Sequence, residues 1–323
     1  MNLAIVGASG LVGRTVLKVL EERGISPDKL LLLGKSSVGE KLQFMGVEVE
    51  IQRADPDVFD GIDYAIFSAG KLAALQLAPE AVKRGCIVID NSSAFRFHDN
   101  VPLVVPEVNP HRAFEHQGII ANPNCATIQL VVVLNPLLKL DPLKVVVTSL
   151  QSVTGAGQRA VQQLRLELNG EPCEVILPHN IAYNLIPQID SFLDDGYTFE
   201  EFKIINESKK ILECEIHVTA TCVRTPTIGA HCQSVYIEFP NPVDTQTILE
   251  LLSSSDGIEV VDNPASQDYA MPINVNGKDS VFVSRIRHGF DTKSINLWIA
   301  ADNLRKGAAT NAVQILQLLL NSK

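Results

Sequence analysis

A cysteine at position 125 stands where a thiol could act as a nucleophile. It follows the turn Asn122-Pro123-Asn124 and precedes the apolar run 126–134, a pattern that indicates a buried helix. At a helix N-terminus, unpaired N–H groups and the positive end of the dipole favour the thiolate. Because buried cysteines are often inert packing, this spacing alone leaves packing and catalysis equally open.

A glycine loop near the start of the chain could bind a nucleotide. Residues 7–13 read Gly-Ala-Ser-Gly-Leu-Val-Gly and lie between a predicted strand and a predicted helix. In that context glycines let the backbone approach a pyrophosphate, and the helix N-terminus supplies N–H donors. The alternative is a tight turn without a ligand. The residues expected to contact the cofactor are Gly7, Ser9, Gly10, Leu11 and Val12.

The end of the second predicted strand bears on which dinucleotide binds. Folds that bind NAD usually carry an acidic residue there for the ribose 2′-hydroxyl. This chain instead reads Lys35-Ser36-Ser37 after Gly34, and a cation with two hydroxyls suits a 2′-phosphate. The sequence therefore favours NADP over NAD; the alternative is that Lys35 is a solvated loop lysine.

Four more side chains could serve a cysteine nucleophile that works with a nicotinamide cofactor. His231 could move a proton, and Gln151 could orient a substrate. Arg224 and Arg96 could bind its anionic groups. Gln151 directly precedes Ser152 and the second glycine loop 154–157, in which Thr154 and Gly155 could flank the nicotinamide. Only the joint presence of these residues indicates acyl or aldehyde chemistry at a thiolate.

The elements that must position these residues fall into two groups. In the first part of the chain, short apolar strands alternate with helices, which predicts an α/β fold with a Rossmann-like, parallel, doubly wound sheet. In the second part, strands follow one another with few helices, which predicts an α+β domain with a mixed sheet. The apolar helix near the C-terminus should pack back on the first domain. The predicted domains are 1–124 with 303–323 for the cofactor, and 125–302 for catalysis.

Composition argues against several classes of protein. The 323 residues carry a formal net charge of −10 and no basic tract, which argues against nucleic acid as a partner. Since no apolar run has membrane-spanning length and no signal peptide is evident, we expect a cytoplasmic protein. The six cysteines form no Cys-x-x-Cys pair, which is typical of reduced thiols. Cys222, His231 and Cys232 match no zinc spacing, so no metal is expected.

Over essentially its full length the chain resembles the bacterial aspartate-semialdehyde dehydrogenase family. Several motifs in the family's order carry this resemblance, and no single one would. They are the glycine loop 7–13, Asp90-Asn91-Ser92-Ser93-Ala94-Phe95-Arg96, Val105-Pro106-Glu107-Val108-Asn109, Asn122-Pro123-Asn124-Cys125, Gln151 with 155–157, 220–224 through His231, and Asp302-Asn303-Leu304 with Lys306-Gly307-Ala308-Ala309.

The resemblance implies a role for each matching residue. Cys125 would form an acyl thioester, His231 would be the acid/base and Gln151 would orient the substrate. Arg224 would bind the substrate α-carboxylate, and N–H groups near Asn124 would stabilise the oxyanion. The other implied contacts are Glu200 with the substrate ammonium, Arg96 and Lys203 with phosphate, and Asn303 with the nicotinamide end of the cofactor.

The implied reaction is the NADPH-dependent reductive dephosphorylation of L-aspartyl 4-phosphate to L-aspartate 4-semialdehyde. In the family this step serves lysine, threonine and methionine synthesis. Inorganic phosphate and a small-molecule substrate are the implied partners. The second domain would also form the contacts of a homodimer or homotetramer.

One departure from the family pattern and three alternatives stay open. Ser36 stands where relatives usually carry an arginine for the 2′-phosphate. N-acetyl-glutamyl-phosphate reductase is one alternative, but Glu200 beside Arg224 suits a free amino group. A glyceraldehyde-phosphate-type dehydrogenase is the second, and the Asn-Pro-Asn-Cys context argues against it. The third is a nucleotide-binding regulator without turnover, against which the retention of Cys125 and His231 argues.

Overall fold

The computed structural model describes residues 1–322, which divide into two compact units. Met1–Asn124 and the segment from Ala308 onward form the first unit, and Cys125–Gly307 form the second. Residues 303–307, which the sequence analysis grouped with the first domain, lie in the second unit. No helix in the described chain is long and apolar enough to cross a membrane.

A seven-stranded sheet forms the centre of the first unit. Its strands are β1 Asn2–Val6, β2 Lys29–Gly34, β3 Lys41–Phe44, β4 Val47–Arg53, β5 Tyr64–Phe67, β6 Ile87–Asp90 and β7 Ile119–Ala121. The order is β3-β4-β2-β1-β5-β6-β7, and each neighbouring pair is parallel except the β3–β4 hairpin. Because the chain extends from β1 to both sides, the sheet is doubly wound.

Three α-helices pack around this sheet, and one of them comes from the end of the chain. They are α1 Leu11–Glu22, α2 Lys71–Lys83 and, after the second unit, α8 Thr310–Asn321. Val16 and Leu20 of α1 share one apolar core with Val313 and Leu316 of α8. The C-terminal helix therefore completes the first unit, and this part of the fold prediction is confirmed.

The second unit contains a six-stranded mixed sheet. Its strands are β8 Lys144–Gln151, β9 His217–Arg224, β10 His231–Glu238, β11 Ile258–Val260, β14 Val281–His288 and β15 Ser294–Ala301, and a separate ribbon is formed by β12 Asp262–Asn263 and β13 Asp268–Tyr269. The order is β11-β14-β15-β10-β8-β9, which leaves β9 at an edge. Parallel and antiparallel pairs both occur, as predicted.

Helices of the second unit cover this sheet. They are α3 Cys125–Leu137, α4 Gln158–Leu168, α5 Phe199–Leu212, α6 Thr245–Ser253 and α7 Pro272–Val275. Helix α3 is apolar on all sides and packs against α5, α6, β14 and β15. Helix α5 in turn packs on the edge strand β9. The start of α3 is therefore held by a rigid core.

Candidate active site

The glycine loop of the first unit has a backbone that other residues could not adopt without strain. Gly7 has a φ of +85°, and a Cβ there would lie 2.8 Å from the backbone nitrogen of Ala69. A Cβ on Gly13 would collide with the carbonyl oxygen of Gly7. The loop after β1, the start of α1 and the loop after β5 thus approach one another closely.

The geometry of this loop fits a bound pyrophosphate. Helix α1 starts at Leu11 after Gly10, and no side chain caps its first turn. The N–H groups at the start of α1, which have no partner within the helix, can therefore face an anion. A cleft of about 440 Å³ opens beside them and is lined by Gly7, Ser9 and Gly10.

The loop after β2 forms the other wall of the cleft. Lys35 and Ser36 are exposed there, whereas Ser37 is buried and places its hydroxyl close to Gly34. Arg53, the last residue of β4, lines the same cleft. Arg53 is not among the residues predicted from the sequence, because the β3–β4 hairpin was not predicted.

Arg96 and Asn124 lie in the first unit and are both buried. The Arg96 guanidinium donates from Nε to the carbonyl of Asn122 at 2.9 Å and from Nη2 to the carbonyl of Asn91 at 2.8 Å. These two carbonyls follow β6 and β7, so Arg96 is fixed at the carboxyl edge of the parallel sheet. Asn124 is the last residue of the unit and directly precedes α3.

Cys125 is the first residue of α3 and is half-buried. Its sulfur therefore lies at the positive end of a helix dipole. Gln233 on β10 donates from Nε2 to the carbonyl of Ala126 at 2.9 Å and ties this end of the helix to the sheet. A Cβ on Gly307 would lie 2.9 Å from the Cβ of Cys125, so only glycine allows that close approach.

His231 begins β10 and is completely buried. The backbone N–H of Ser152 donates to its Nδ1 at 3.1 Å, while its Nε2 has no hydrogen-bond partner among the described residues. Burial and the nearby Arg224 cation lower the pKa of His231 to about 3. With Nδ1 accepting a hydrogen bond, the neutral ring carries its proton on Nε2.

Arg224 ends β9 and is 6% exposed. Its Nη1 donates to the carbonyl of Ser152 at 2.8 Å, the one side-chain hydrogen bond of this guanidinium within the described chain. Burial lowers the pKa of Arg224, and negative charge on Glu200 and Cys125 acts in the opposite direction. Arg224 thus retains further N–H donors that a ligand could accept hydrogen bonds from.

Gly155 packs closely against both Arg224 and His231. A Cβ at this position would lie 2.9 Å from Nη1 of Arg224 and 3.2 Å from Nε2 of His231. The absence of a side chain at this position therefore lets both nitrogen atoms approach the backbone of Gly155. The side chains of Arg224 and His231 therefore lie close to each other at this point.

Gln151 ends β8, and the parallel register places it directly beside Arg224. Its side chain is buried, and Nε2 donates to the hydroxyl of Ser149 at 3.3 Å and to the sulfur of Cys222 at 3.8 Å. Burial, followed by the carboxylates of Glu200 and Glu201, raises the pKa of Cys222, which keeps this second thiol protonated.

Glu200 and Lys203 contact each other directly on α5. Nζ of Lys203 lies 2.7 Å from Oε2 of Glu200 and 3.1 Å from Oδ2 of Asp190. Burial works against the charged form of Lys203, but the two carboxylates outweigh it and raise its pKa. The spacing of these two residues predicts neighbouring pockets for an ammonium and a phosphate, whereas the structure shows a buried ion pair at this position.

A network of hydroxyl groups lies behind His231. The Ser152 and Thr154 hydroxyls lie 2.6 Å apart and lie 2.5 and 3.0 Å from the carbonyl of Gly229. Thr154 also donates to Oδ1 of Asn303 at 2.9 Å. Thr154 and Asn303 are among the residues predicted from the sequence. Ser152, whose backbone holds both His231 and Arg224, is not.

Comparison with known families identifies the class of protein. The NAD-binding domain model of semialdehyde dehydrogenases matches residues 2–116, and the dimerisation domain model of the same enzymes matches residues 134–306. The chain is thus built as a two-domain semialdehyde dehydrogenase, with one domain for the dinucleotide and one for dimerisation.

Individual relatives define the family more narrowly. Aspartate-semialdehyde dehydrogenase of Bacillus subtilis is 49% identical over 99% of this chain and 97% of its own length. The Aquifex aeolicus enzyme is 46% identical over 99% and 98%. The crystal structure of Vibrio cholerae aspartate semialdehyde dehydrogenase II superposes with a TM-score of 0.95 at 42% identity, covering 99% of this chain and 98% of that one. The chain belongs to the aspartate-semialdehyde dehydrogenase family.

Proposed function

We propose that this protein reduces L-aspartyl 4-phosphate to L-aspartate 4-semialdehyde with NADPH, in the synthesis of lysine, threonine and methionine. The observation that carries this proposal is the close approach of Nη1 of Arg224 and Nε2 of His231, which has no partner among the described residues, to one point beside Gly155. A buried polar atom without a partner is costly unless a ligand supplies one. The structure of V. cholerae aspartate semialdehyde dehydrogenase II complexed with ASA superposes on this chain with the same TM-score of 0.95.

Cys125 carries the first chemical step. Its thiolate attacks the acyl carbon of the acyl phosphate, a C–S bond forms, and inorganic phosphate leaves with the electrons of the C–O bond. The helix dipole of α3 stabilises the thiolate, and N–H groups at Asn124 and Cys125 stabilise the oxyanion. Gln151, which is held between Ser149 and Cys222, orients the acyl group.

His231 acts in the second step through Nε2. When bound, the reduced nicotinamide supplies a hydride to the thioester carbon. The resulting alkoxide is stabilised by the Nε2–H group of His231, since Nδ1 is occupied by the N–H of Ser152. The C–S bond then breaks, the aldehyde is released and the thiolate of Cys125 is restored. We propose that the same nitrogen acts as the acid/base, because it can share its proton with the alkoxide as that forms and recover the proton when the C–S bond breaks.

Charged side chains select the substrate. The fork of Arg224 binds the α-carboxylate, and Glu200 binds the α-ammonium. Arg96 and Lys203 bind phosphate. Nζ of Lys203 and Oε2 of Glu200 lie 2.7 Å apart in an ion pair. A substrate that binds both residues must therefore share this ion pair or replace it. A substrate that carries both a positive and a negative group can do so without leaving a buried charge unpaired.

NADP is the proposed cofactor, and it enters the cleft of the first unit. Gly7, Ser9, Gly10, Leu11 and Val12 would contact the pyrophosphate, and Lys35, Ser36 and Ser37 the ribose. Thr154, Gly155 and Asn303 would contact the nicotinamide end. We further propose a homodimer or homotetramer and a cytoplasmic location, where the six free cysteines stay reduced.

A direct spectrophotometric assay tests the proposed function. Purified protein is given L-aspartate 4-semialdehyde and NADP, with and without inorganic phosphate, and NADPH is followed by absorbance. We expect phosphate-dependent reduction of NADP and no reaction with N-acetyl-glutamate semialdehyde, because Glu200 needs a free ammonium. Turnover of the acetylated aldehyde alone would replace this proposal by the related reductase. Binding of NADP without any turnover would indicate a regulator.

A further inference from the structure

The nucleotide cleft contains a guanidinium that the sequence motifs do not include. Arg53 ends β4 and pairs in parallel register with Gly34, the last residue of β2. It therefore stands beside Lys35 at the carboxyl ends of two neighbouring strands, the edge of a doubly wound sheet at which ligands bind. Both side chains line the same cleft of about 440 Å³.

We propose that Arg53 binds the 2′-phosphate of NADP and is the main source of discrimination against NAD. It would take the place of the arginine that relatives carry where this chain has Ser36. The proposal rests on the proposed function, since it assumes that this cleft holds the dinucleotide. An arginine close to the ribose is the usual means by which such folds accept a 2′-phosphate.

The ion pair between Arg53 and Asp55 is weak enough for a phosphate to replace the carboxylate. Nε of Arg53 lies 3.4 Å from Oδ1 of Asp55, and the two side chains are 77% and 57% exposed. An exposed pair of this kind contributes little stability because water and salt screen it. A phosphate offers more acceptor oxygens and more charge than a carboxylate, and it matches the two-pronged donor geometry of a guanidinium.

Asp55 should favour NAD over NADP, so a substitution at this position provides a second test. A carboxylate in this cleft repels a phosphate but could accept a hydrogen bond from the 2′-hydroxyl of NAD. The charges around the ribose therefore oppose each other, with Lys35 and Arg53 on one side and Asp55 on the other. We expect Asp55→Asn to tighten binding of the 2′-phosphate, while Arg53→Gln weakens it.

Titration calorimetry with nucleotide fragments measures this directly and does not require turnover. The probes are 2′,5′-ADP, which carries the 2′-phosphate, and 5′-ADP, which lacks it. For Arg53→Gln we expect the dissociation constant of 2′,5′-ADP to rise by about tenfold while that of 5′-ADP changes by less than about twofold. The difference should shrink at high salt. Arg112→Gln is the matched control, because Arg112 also forms an ion pair with a nearby acid in this unit, and lies outside the cleft.

The outcomes separate this proposal from the cofactor assignment itself. If 2′,5′-ADP binds equally well to the parent protein and to Arg53→Gln, the role of Arg53 is wrong while the cleft assignment stands. If both fragments weaken together, Arg53 acts on the cleft in general and the specificity role is equally wrong. If neither fragment binds the parent protein, the nucleotide cleft and the role of Arg53 both fail.

Discussion

Ser152 donates its backbone N–H to Nδ1 of His231 at 3.1 Å. This one hydrogen bond decides which nitrogen of the ring remains for a substrate, because it occupies the lone pair of Nδ1 and leaves the proton on Nε2. The carbonyl of the same serine accepts a hydrogen bond from Arg224 at 2.8 Å. A single peptide segment after β8 thus sets the orientation of the two side chains that surround Gly155.

The buried His231 should make the protein less stable in acid. Its folded-state pKa is lowered to about 3 from 6.5, so the unfolded chain binds a proton at pH values where the folded chain does not. The contribution of His231 to the free energy of unfolding is therefore fully present above pH 6.5 and is lost as the pH falls towards 3. The loss is at most about 1.4 kcal/mol per pH unit. Urea unfolding at pH 7 and pH 5 measures the loss.

His231→Gln should reduce that pH dependence, and His217→Gln, a change at an exposed histidine, should leave it intact. For the same reason, the pH–rate profile of the parent protein should show no inflection from His231 between pH 5 and 8. An acid limb of stability that is identical in all three proteins would mean that His231 is not held neutral.

Gly155→Ala should lower turnover strongly. The added methyl group would lie 2.9 Å from Nη1 of Arg224 and 3.2 Å from Nε2 of His231, so at least one of them must move. Displacements of this size cost about a hundredfold in rate at a preorganised site. Gly157→Ala is the control: its φ of +89° makes alanine strained there, but a Cβ would contact nothing. It should lower the melting temperature and preserve kcat; equal losses of kcat would point to loop strain instead.

Cys125→Ser should abolish phosphate-dependent NADP reduction while nucleotide binding persists. A serine hydroxyl at the start of α3 is far less ionised than a thiol and cannot form a thioester. Steady-state rates and calorimetric binding of NADP check the two halves of this prediction. Cys173→Ser, a change at another half-buried cysteine, should keep full activity. Substantial turnover by Cys125→Ser would remove the covalent mechanism.

Arg224→Lys should raise the KM for the aldehyde by about tenfold or more. Lysine retains the charge but loses the planar fork, so it cannot both hold the carbonyl of Ser152 and grip a carboxylate with two parallel hydrogen bonds. Initial rates over a range of aldehyde concentrations separate KM from kcat. Unchanged values for both constants would place Arg224 outside the substrate site.

Glu201→Gln should destabilise the second unit by about 1–3 kcal/mol. The Glu201 carboxylate accepts one hydrogen bond from the N–H of Thr198 at 2.6 Å, which caps α5, and another from the N–H of Cys222 at 2.8 Å, on the edge strand β9. An amide offers only one acceptor atom, so one of these N–H groups would lose its partner. Thermal unfolding measures the effect, and Glu215→Gln at an exposed position should have none.

Much of the fold could be predicted because the hydrophobic period changes clearly along the chain. Residues 144–151 are rich in β-branched side chains and form the strand β8, and residues 158–168 have a helical period and form the helix α4. The β3–β4 hairpin was missed even though residues 47–52 alternate apolar and polar side chains. Its turn contains Met45 and Gly46, with φ values of 48° and 79°, and a methionine is not a usual turn residue.

The site was harder to predict than the fold, because the sequence does not show which side chains pair with each other or which contacts backbone atoms make. The spacing of Glu200 and Lys203 placed them on one face of a helix, but could not show that they would pair with each other and with Asp190. Ser152 holds His231 and Arg224 through its backbone N–H and its carbonyl, and every residue except proline possesses both groups. The residue type at position 152 could therefore not have indicated these two contacts.

Helix α8 has a consequence for the order in which the protein can be assembled during synthesis. Its side chains Val313, Leu316 and Leu319 belong to the same core as Val16 and Leu20 of α1. A ribosome that has made residues 1–124 has therefore not yet supplied the helix that buries one side of that core. Apolar surface of the nascent first unit therefore stays uncovered until nearly two hundred further residues have been translated. Chaperone dependence during translation should accordingly be greatest for the part of the chain that is made first.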